Sequence, residues 1–162
     1  MELLFAFALL LIFLFSFVLL FGAPYLPTLS AQAESALDLV DLKPGDHLLE
    51  LGCGDGKVMI AAAERGLRVT GYELNPILAA IAWLRTRRYG KRVKVVCGNF
   101  WRVKLPPSEG IFVFLLPKYM AKLDTKITQE SRKPVKLVSF AFKIPEKKIM
   151  KEKQGVYLYT YK

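Results

Sequence analysis

An α/β fold built around a mostly parallel sheet is what the sequence predicts, on three observations. From residue 47 onward, short apolar runs alternate with longer runs of helical periodicity. Several glycines crowd the first strand-to-helix junction, and a lone acidic residue closes the second apolar run. Such alternation requires parallel strands joined by right-handed crossovers, with helices covering both faces. The chain has 162 residues, of which the first 23 stand apart by composition, so the remainder suits one domain with one core. The predicted organisation is an apolar anchor at 1–23, a connector with an amphipathic helix at 24–46, and the α/β domain at 47–162.

Residues 3–21 read LLFAFALLLIFLFSFVLLF, with Ser16 the only polar side chain. At a helical rise of about 1.5 Å this run spans about 29 Å, close to the thickness of bilayer hydrocarbon, and predicts one transmembrane helix. A cleaved signal peptide competes, because Ala31, Gln32 and Ala33 form a small-x-small pattern. Against it, no Lys or Arg precedes the run, which is longer than an ordinary signal-peptide core. GAPYLPT at 22–28 cannot continue a helix. Residues 30–42 place Ala33, Ala36, Leu37 and Val40 at helical spacing before Lys43, Pro44 and Gly45 end the helix.

The strands expected next are 47–52, 68–74, 93–98, 110–116 and 136–144, with a last one at 155–162. Between them, 57–66 is a helix stopped by Gly66, 76–90 a helix opened by Pro76 and closed on basic residues, and 118–130 a third. In such a sheet ligands lie at the carboxyl ends of the strands, near the switch in strand order.

Charge is unevenly laid out within a net +10. Residues 1–84 carry 4 basic and 9 acidic residues, net −5, and residues 85–162 carry 20 and 5, net +15. The basic half favours an acidic partner, for which an anionic lipid surface is the nearest candidate on a tethered domain. Cys53 and Cys97 have no metal-ligand spacing and His47 is the single histidine, so neither a metal site nor a disulfide framework is predicted.

Glu50, Gly52, Gly54 and Gly56 form E-x-G-x-G-x-G between a strand and a helix. Gly52 allows a sharp exit from the strand, Gly54 lets backbone approach a ligand, and Gly56 lets the helix come close to the sheet. A dinucleotide fingerprint needs glycine where Lys57 stands, and a Walker A loop needs a different spacing and a G-K-[ST] ending. A pyrophosphate avoids carboxylates, yet Asp55 lies in the loop and Glu50 precedes it. Those carboxylates suit a ligand with cationic groups, such as the amino group and sulfonium of S-adenosyl-L-methionine. Glu73, 19 residues after Gly54, ends the second strand where a carboxylate can accept hydrogen bonds from both ribose hydroxyls.

The third strand ends in CGNFW, where Asn99 can hydrogen-bond an adenine and Phe100 or Trp101 can cover it; packing of a short connector is the other role open to Trp101. The fourth ends in FLLPKYM. Leu115, Leu116 and Pro117 supply neither the carbonyl nor the aromatic stack that enzymes methylating base amines use there, which counts against nucleic acid as substrate.

On these motifs the chain resembles the class I S-adenosyl-L-methionine methyltransferases, with their Rossmann-like, parallel-rich sheet. More narrowly it is similar to the lysine methyltransferases that modify the c-type ring protein of ATP synthase and the adenine nucleotide translocase, through PYLPT, KPGD, LELGCGDGKV, GYELNP, NFW, VFLLP, the LDTKI helix and FKIP. The resemblance implies that Glu50, Gly52, Gly54, Asp55 and Gly56 hold the methionine part of the cofactor and Glu73 the ribose. It puts Asn99 and Phe100 on the adenine side and folds Tyr25 and Thr28 over the pocket. The sequence departs from the family pattern at Asn99, at Lys147 and Lys148 where a tryptophan is usual, and in its short tail.

The implied activity is N-methylation of a lysine on a membrane-associated protein. An RNA or small-molecule methyltransferase and a non-catalytic nucleoside-binding module are the alternatives. No catalytic base is assigned, since a desolvated amine can lose its own proton. A cofactor made inside cells predicts a domain facing the cytoplasm, or the matrix in an organelle.

Overall fold

The computed structural model describes residues 1–2, 4–9, 12 and 30–162. Seven strands form one sheet in the order β3-β2-β1-β4-β5-β7-β6. They are β1 His47–Leu51, β2 Arg68–Glu73, β3 Val93–Cys97, β4 Gly110–Val113, β5 Val135–Phe140, β6 Lys151–Lys153 and β7 Val156–Tyr161. β1 to β5 run parallel, whereas β7 pairs antiparallel with β5 and β6 antiparallel with β7. The helices are α1 Ser30–Val40, α2 Lys57–Glu64, α3 Pro76–Thr86 and α4 Pro117–Glu130.

Strand periodicity sorts the core into two layers. Leu48, Val69, Phe112 and Val138 meet Ala36, Val40, Met59 and Ala82 on the face covered by α1, α2 and α3. Leu49, Leu51, Ile111 and Leu137 meet Met120, Leu123 and Ile127 of α4 on the other. Adjacent residues of β1 thus face opposite layers, as a strand buried on both sides requires. α1 is bound to the far end of the chain. Lys136 donates from Nζ to the carbonyls of Val40 (2.8 Å) and Asp41 (3.0 Å), satisfying the end of the helix. Lys153 pairs with Asp38 at 3.0 Å, Ser35 bonds Gln154, and Val156 and Leu158 share the core of Ala33 and Leu37.

The differences from the sequence-based expectation sit at element ends. The helix expected over 76–90 stops as α-helix at Thr86 and continues as a 3-10 segment, Arg87–Arg92, containing Gly90 at φ 57°, ψ −135°. The strand expected over 136–144 ends at Phe140, because Ala141 turns to φ 66° and Ser139 Oγ donates to the Phe142 carbonyl at 2.6 Å. β6 carries no apolar signal, all three residues being exposed; it forms because Gln154 and Gly155, at φ 51° and 74°, make the tight turn that pairs it with β7. The transmembrane helix expected over 3–21 falls largely outside the described residues. Residues 2, 4–9 and 12 are helical, with Leu4, Phe5, Phe7, Leu9 and Ile12 exposed. Among the described residues no helix is long and apolar enough to cross a membrane.

Candidate active site

The strand order reverses between β1 and β4, and the glycine loop leaves β1 at that point. Gly52, Gly54 and Gly56 have φ of 90°, 53° and 79°. The loop is pinned from below by β2: the amides of Gly52 and Cys53 both donate to the Tyr72 carbonyl at 2.9 Å. Glu73 closes the cradle. Its Oε2 accepts from the Gly54 amide and its Oε1 from the Asn75 amide, each at 2.8 Å. One carboxylate therefore sets both the tip of the loop and the entry to α3, where Asn75 caps the helix by accepting from Ile77 and Leu78.

Close approach is divided differently from the sequence-based reading. A Cβ on Gly56 would lie 3.2 Å from Ala82 Cβ, so this glycine brings α2 against α3 and not against the sheet. The helix-to-sheet contact belongs to Gly71 of β2, where a Cβ would sit 2.4 Å from Met59 Sδ and 2.8 Å from Cys53 Sγ. A glycine inside the strand RVTGYE is the signal for it in the sequence.

Electrostatics single out Glu50. It is 3% exposed, and its Oε2 has no hydrogen-bond partner among the described residues. Burial pushes its carboxyl well above the usual range, nearby Asp55 and Glu73 add to the rise, and the Met59 amide opposes it. Burial also raises the Cys53 thiol, with Glu50 and Glu73 contributing. Asp55 is committed elsewhere: its carboxylate pairs with Arg85 of α3, which also donates to the Asp55 carbonyl at 3.0 Å, and accepts from the Lys57 amide at 3.3 Å. No motif in the sequence points to Arg85. Of the two carboxylates expected to receive a cationic group, Glu50 alone remains without a partner.

The adenine-side residues are more embedded than expected. Asn99 Oδ1 accepts from the Trp101 amide at 2.9 Å, capping the 3-10 turn Phe100–Arg102. Phe100 is 7% exposed and packs with Leu51, Tyr72 and Leu105, its ring 4.5 Å from Trp101. Trp101 in turn lies 6.1 Å from Tyr119, with Lys122 Nζ 4.8 Å over its ring. Tyr25 and Thr28 lie outside the described residues. Beyond Trp101 opens a groove of about 390 Å³ lined by Arg102, Lys104 and Arg132, with Lys126 held to Glu130 at 2.6 Å. Among the described residues no group of three His, Cys, Asp or Glu converges as metal ligands do.

The family model of the ANTKMT methyltransferase domain matches residues 50–151. Over 125 residues the chain is 35% identical to the adenine nucleotide translocase lysine N-methyltransferase of Mus musculus, covering 75% of this chain and 54% of that one. It is 29% identical over 124 residues to the Homo sapiens lysine N-methyltransferase named for the c-type ring protein of ATP synthase, covering 75% and 53%. The chain thus spans about half the length of these curated relatives. A protein-lysine N-methyltransferase of Saccharolobus islandicus matches at 30% over 149 residues, covering 85% of this chain and 92% of its own. Among solved structures, an RNA methyltransferase from Salinibacter ruber in complex with S-adenosyl-L-homocysteine superposes with a TM-score of 0.76 at 25% identity, covering 84% of this chain and 92% of that one.

Proposed function

This chain belongs to the family of the ANTKMT methyltransferase domain, and from that premise we propose that it is an S-adenosyl-L-methionine-dependent N-methyltransferase acting on lysine of a membrane-associated protein. The observation that carries the cofactor is the partnerless Oε2 of Glu50, buried beside the glycine loop. A buried carboxylate without a partner is costly, and an ammonium group removes the cost. Glu73 supports the ribose: both of its oxygens already accept one amide hydrogen, and each retains a lone pair for a hydroxyl.

When bound, the cofactor supplies an electrophilic methyl group on sulfur. The chain's own part is to align an amine with it and to strip that amine of water. Leu115, Leu116 and Pro117, which follow β4, bring no ionisable group to the acceptor side. Their apolar character favours the neutral amine, because burial disfavours its charged form. The lysine proton leaves to solvent before transfer, and no side chain need take it.

The relatives named for the ATP synthase ring protein and the adenine nucleotide translocase support a protein substrate in a membrane. The apolar run at 3–21 supports a single-pass anchor that raises the effective concentration of such a substrate. On this reading the domain faces the cytoplasm, or the matrix in an organelle, where the cofactor is made. A second reading, RNA methylation, is favoured by one feature, the basic groove beside Trp101. Incubation with methyl-labelled cofactor and membranes, followed by protease or nuclease, separates the two. Label released by protease alone supports lysine methylation, label released by nuclease supports RNA, and no cofactor binding by calorimetry refutes both.

A further inference from the structure

α3 is built inside out. The side facing the sheet and α2 carries small residues, Ala79, Ala82 and Thr86, all buried. The outward side carries large apolar ones: Ile77 is 38% exposed, Ile81 40%, Trp83 58% and Leu84 53%. Ile77, Ile81 and Leu84 stand at i, i+4 and i+7, so with exposed Ala80 they form one continuous stripe. α4, on the opposite face of the sheet, follows the ordinary rule; it buries Met120, Leu123 and Ile127 and turns Lys118, Lys122 and Gln129 outward. A contiguous apolar stripe on a helix that already has its core contacts marks an interaction surface.

We propose that the outer face of α3 docks in the headgroup boundary of an anionic lipid bilayer; this rests on the membrane part of the reading above. Three observations favour a bilayer over a protein partner. Trp83, at the flank of the stripe, has the amphipathic ring that sits at membrane interfaces. Arg87, Lys91 and Arg92 follow directly, are exposed, and form no ion pair among the described residues, which suits anionic headgroups. The apolar run at 3–21 enters the fold at Ser30, and α1 packs in the same helical layer, against α2, which in turn contacts α3. Docking along this stripe brings Asn75 and the glycine loop, at the start of α3, to the lipid surface, where a membrane-embedded lysine is presented.

The test uses the full chain reconstituted in vesicles of phosphatidylcholine and phosphatidylglycerol with brominated acyl chains. The chain has two tryptophans, so subtracting the emission of a Trp83→Phe protein from the parent isolates Trp83. Most of the Trp83 emission is quenched if the helix docks. The quenching disappears in an Ile81→Glu/Leu84→Glu protein and weakens in Arg87→Gln/Lys91→Gln. An anchored protein whose Trp83 stays unquenched overturns the proposal. So does equal quenching in pure phosphatidylcholine, or a Trp83→Cys protein that cross-links as a dimer through this helix. Cofactor binding by calorimetry on the same proteins keeps the two readings apart, since loss of binding in the parent would sink the methyltransferase reading and leave the docking result standing.

Discussion

Replacing Glu50 by Gln separates the cost of its charge from its use. The side chain is buried and one oxygen lacks a partner, so the ionised form is penalised in the free protein. Its carboxyl lies above the ordinary 4.5, so the sign of the linkage is fixed. Below 4.5 both folded and unfolded chains hold the proton and stability is unaffected. As pH rises from 4.5 through the elevated folded value, the unfolded chain releases its proton first, and folding stability falls. Gln keeps the shape and removes the charge. Relief of an unsatisfied buried group is worth about 1–3 kcal/mol, or about 3–9 °C in Tm at about 3 °C per kcal/mol for a domain of this size. The free Glu50→Gln protein therefore melts higher than the parent near pH 8, and the difference vanishes below pH 4.5. Cofactor binding moves the opposite way. Loss of a charge-assisted hydrogen bond to the ammonium costs about 1.5–3 kcal/mol, a Kd about 10- to 150-fold weaker. Calorimetry in buffers of different ionisation enthalpy adds a signature: the parent releases up to about one proton per cofactor bound, and the Gln protein releases fewer. An unchanged Kd, or identical proton release, refutes the assignment of Glu50 to the ammonium.

Three further outcomes follow from the same geometry. Glu73→Ala frees the amides of Gly54 and Asn75 as well as the ribose site, so cofactor affinity falls at least about tenfold while far-UV circular dichroism stays that of the parent; undiminished affinity contradicts the ribose role. Gly71→Val drives atoms into Met59 and Cys53 and lowers stability by about 1–3 kcal/mol, read by urea unfolding, with Met59→Ala in the same chain recovering part of it. At Glu130 burial raises the carboxyl, but the Leu105 amide and Lys126 outweigh it and hold the group below 4.5. Its contribution is thus present above pH 4.5 and lost as pH falls through the depressed value, so Glu130→Gln costs about 1 kcal/mol at neutral pH and nothing in strong acid, as thermal melts across that range will show.

Much of the fold is legible because buried strands and glycine-punctuated helices leave marks that do not depend on tertiary context. β1, β2 and α2 are bounded by His47, Glu73 and the glycines at 52–56 and 66, within a residue or two of the ends the sequence predicts. β6 escapes because an exposed Lys-Glu-Lys has no apolar face to read; its partner β7 and the Gln154–Gly155 turn create it. In the site, residue types are legible and their commitments are not. Glu73 stands where its position after β2 predicts. Asp55 reads as free for a ligand, yet Arg85, 30 residues later, takes it, a pairing that only the packing of α2 on α3 brings about. Asn99 likewise spends its side-chain oxygen on the backbone of its own turn.

The clasp between α1 and the last strands has a consequence for biosynthesis. Ser35, Asp38 and Val40 find their partners at Gln154, Lys153 and Lys136, about a hundred residues later in the chain. At translation rates of about 5–20 residues per second, α1 waits roughly 5–25 s for them. During that interval its apolar side, Ala33, Ala36, Leu37 and Val40, has only part of its eventual cover. A nascent chain of this design completes its core in the final moments of synthesis, so truncation before Val156 leaves the first helix as exposed as the last strand is missing, and quality control can read the two ends as one signal.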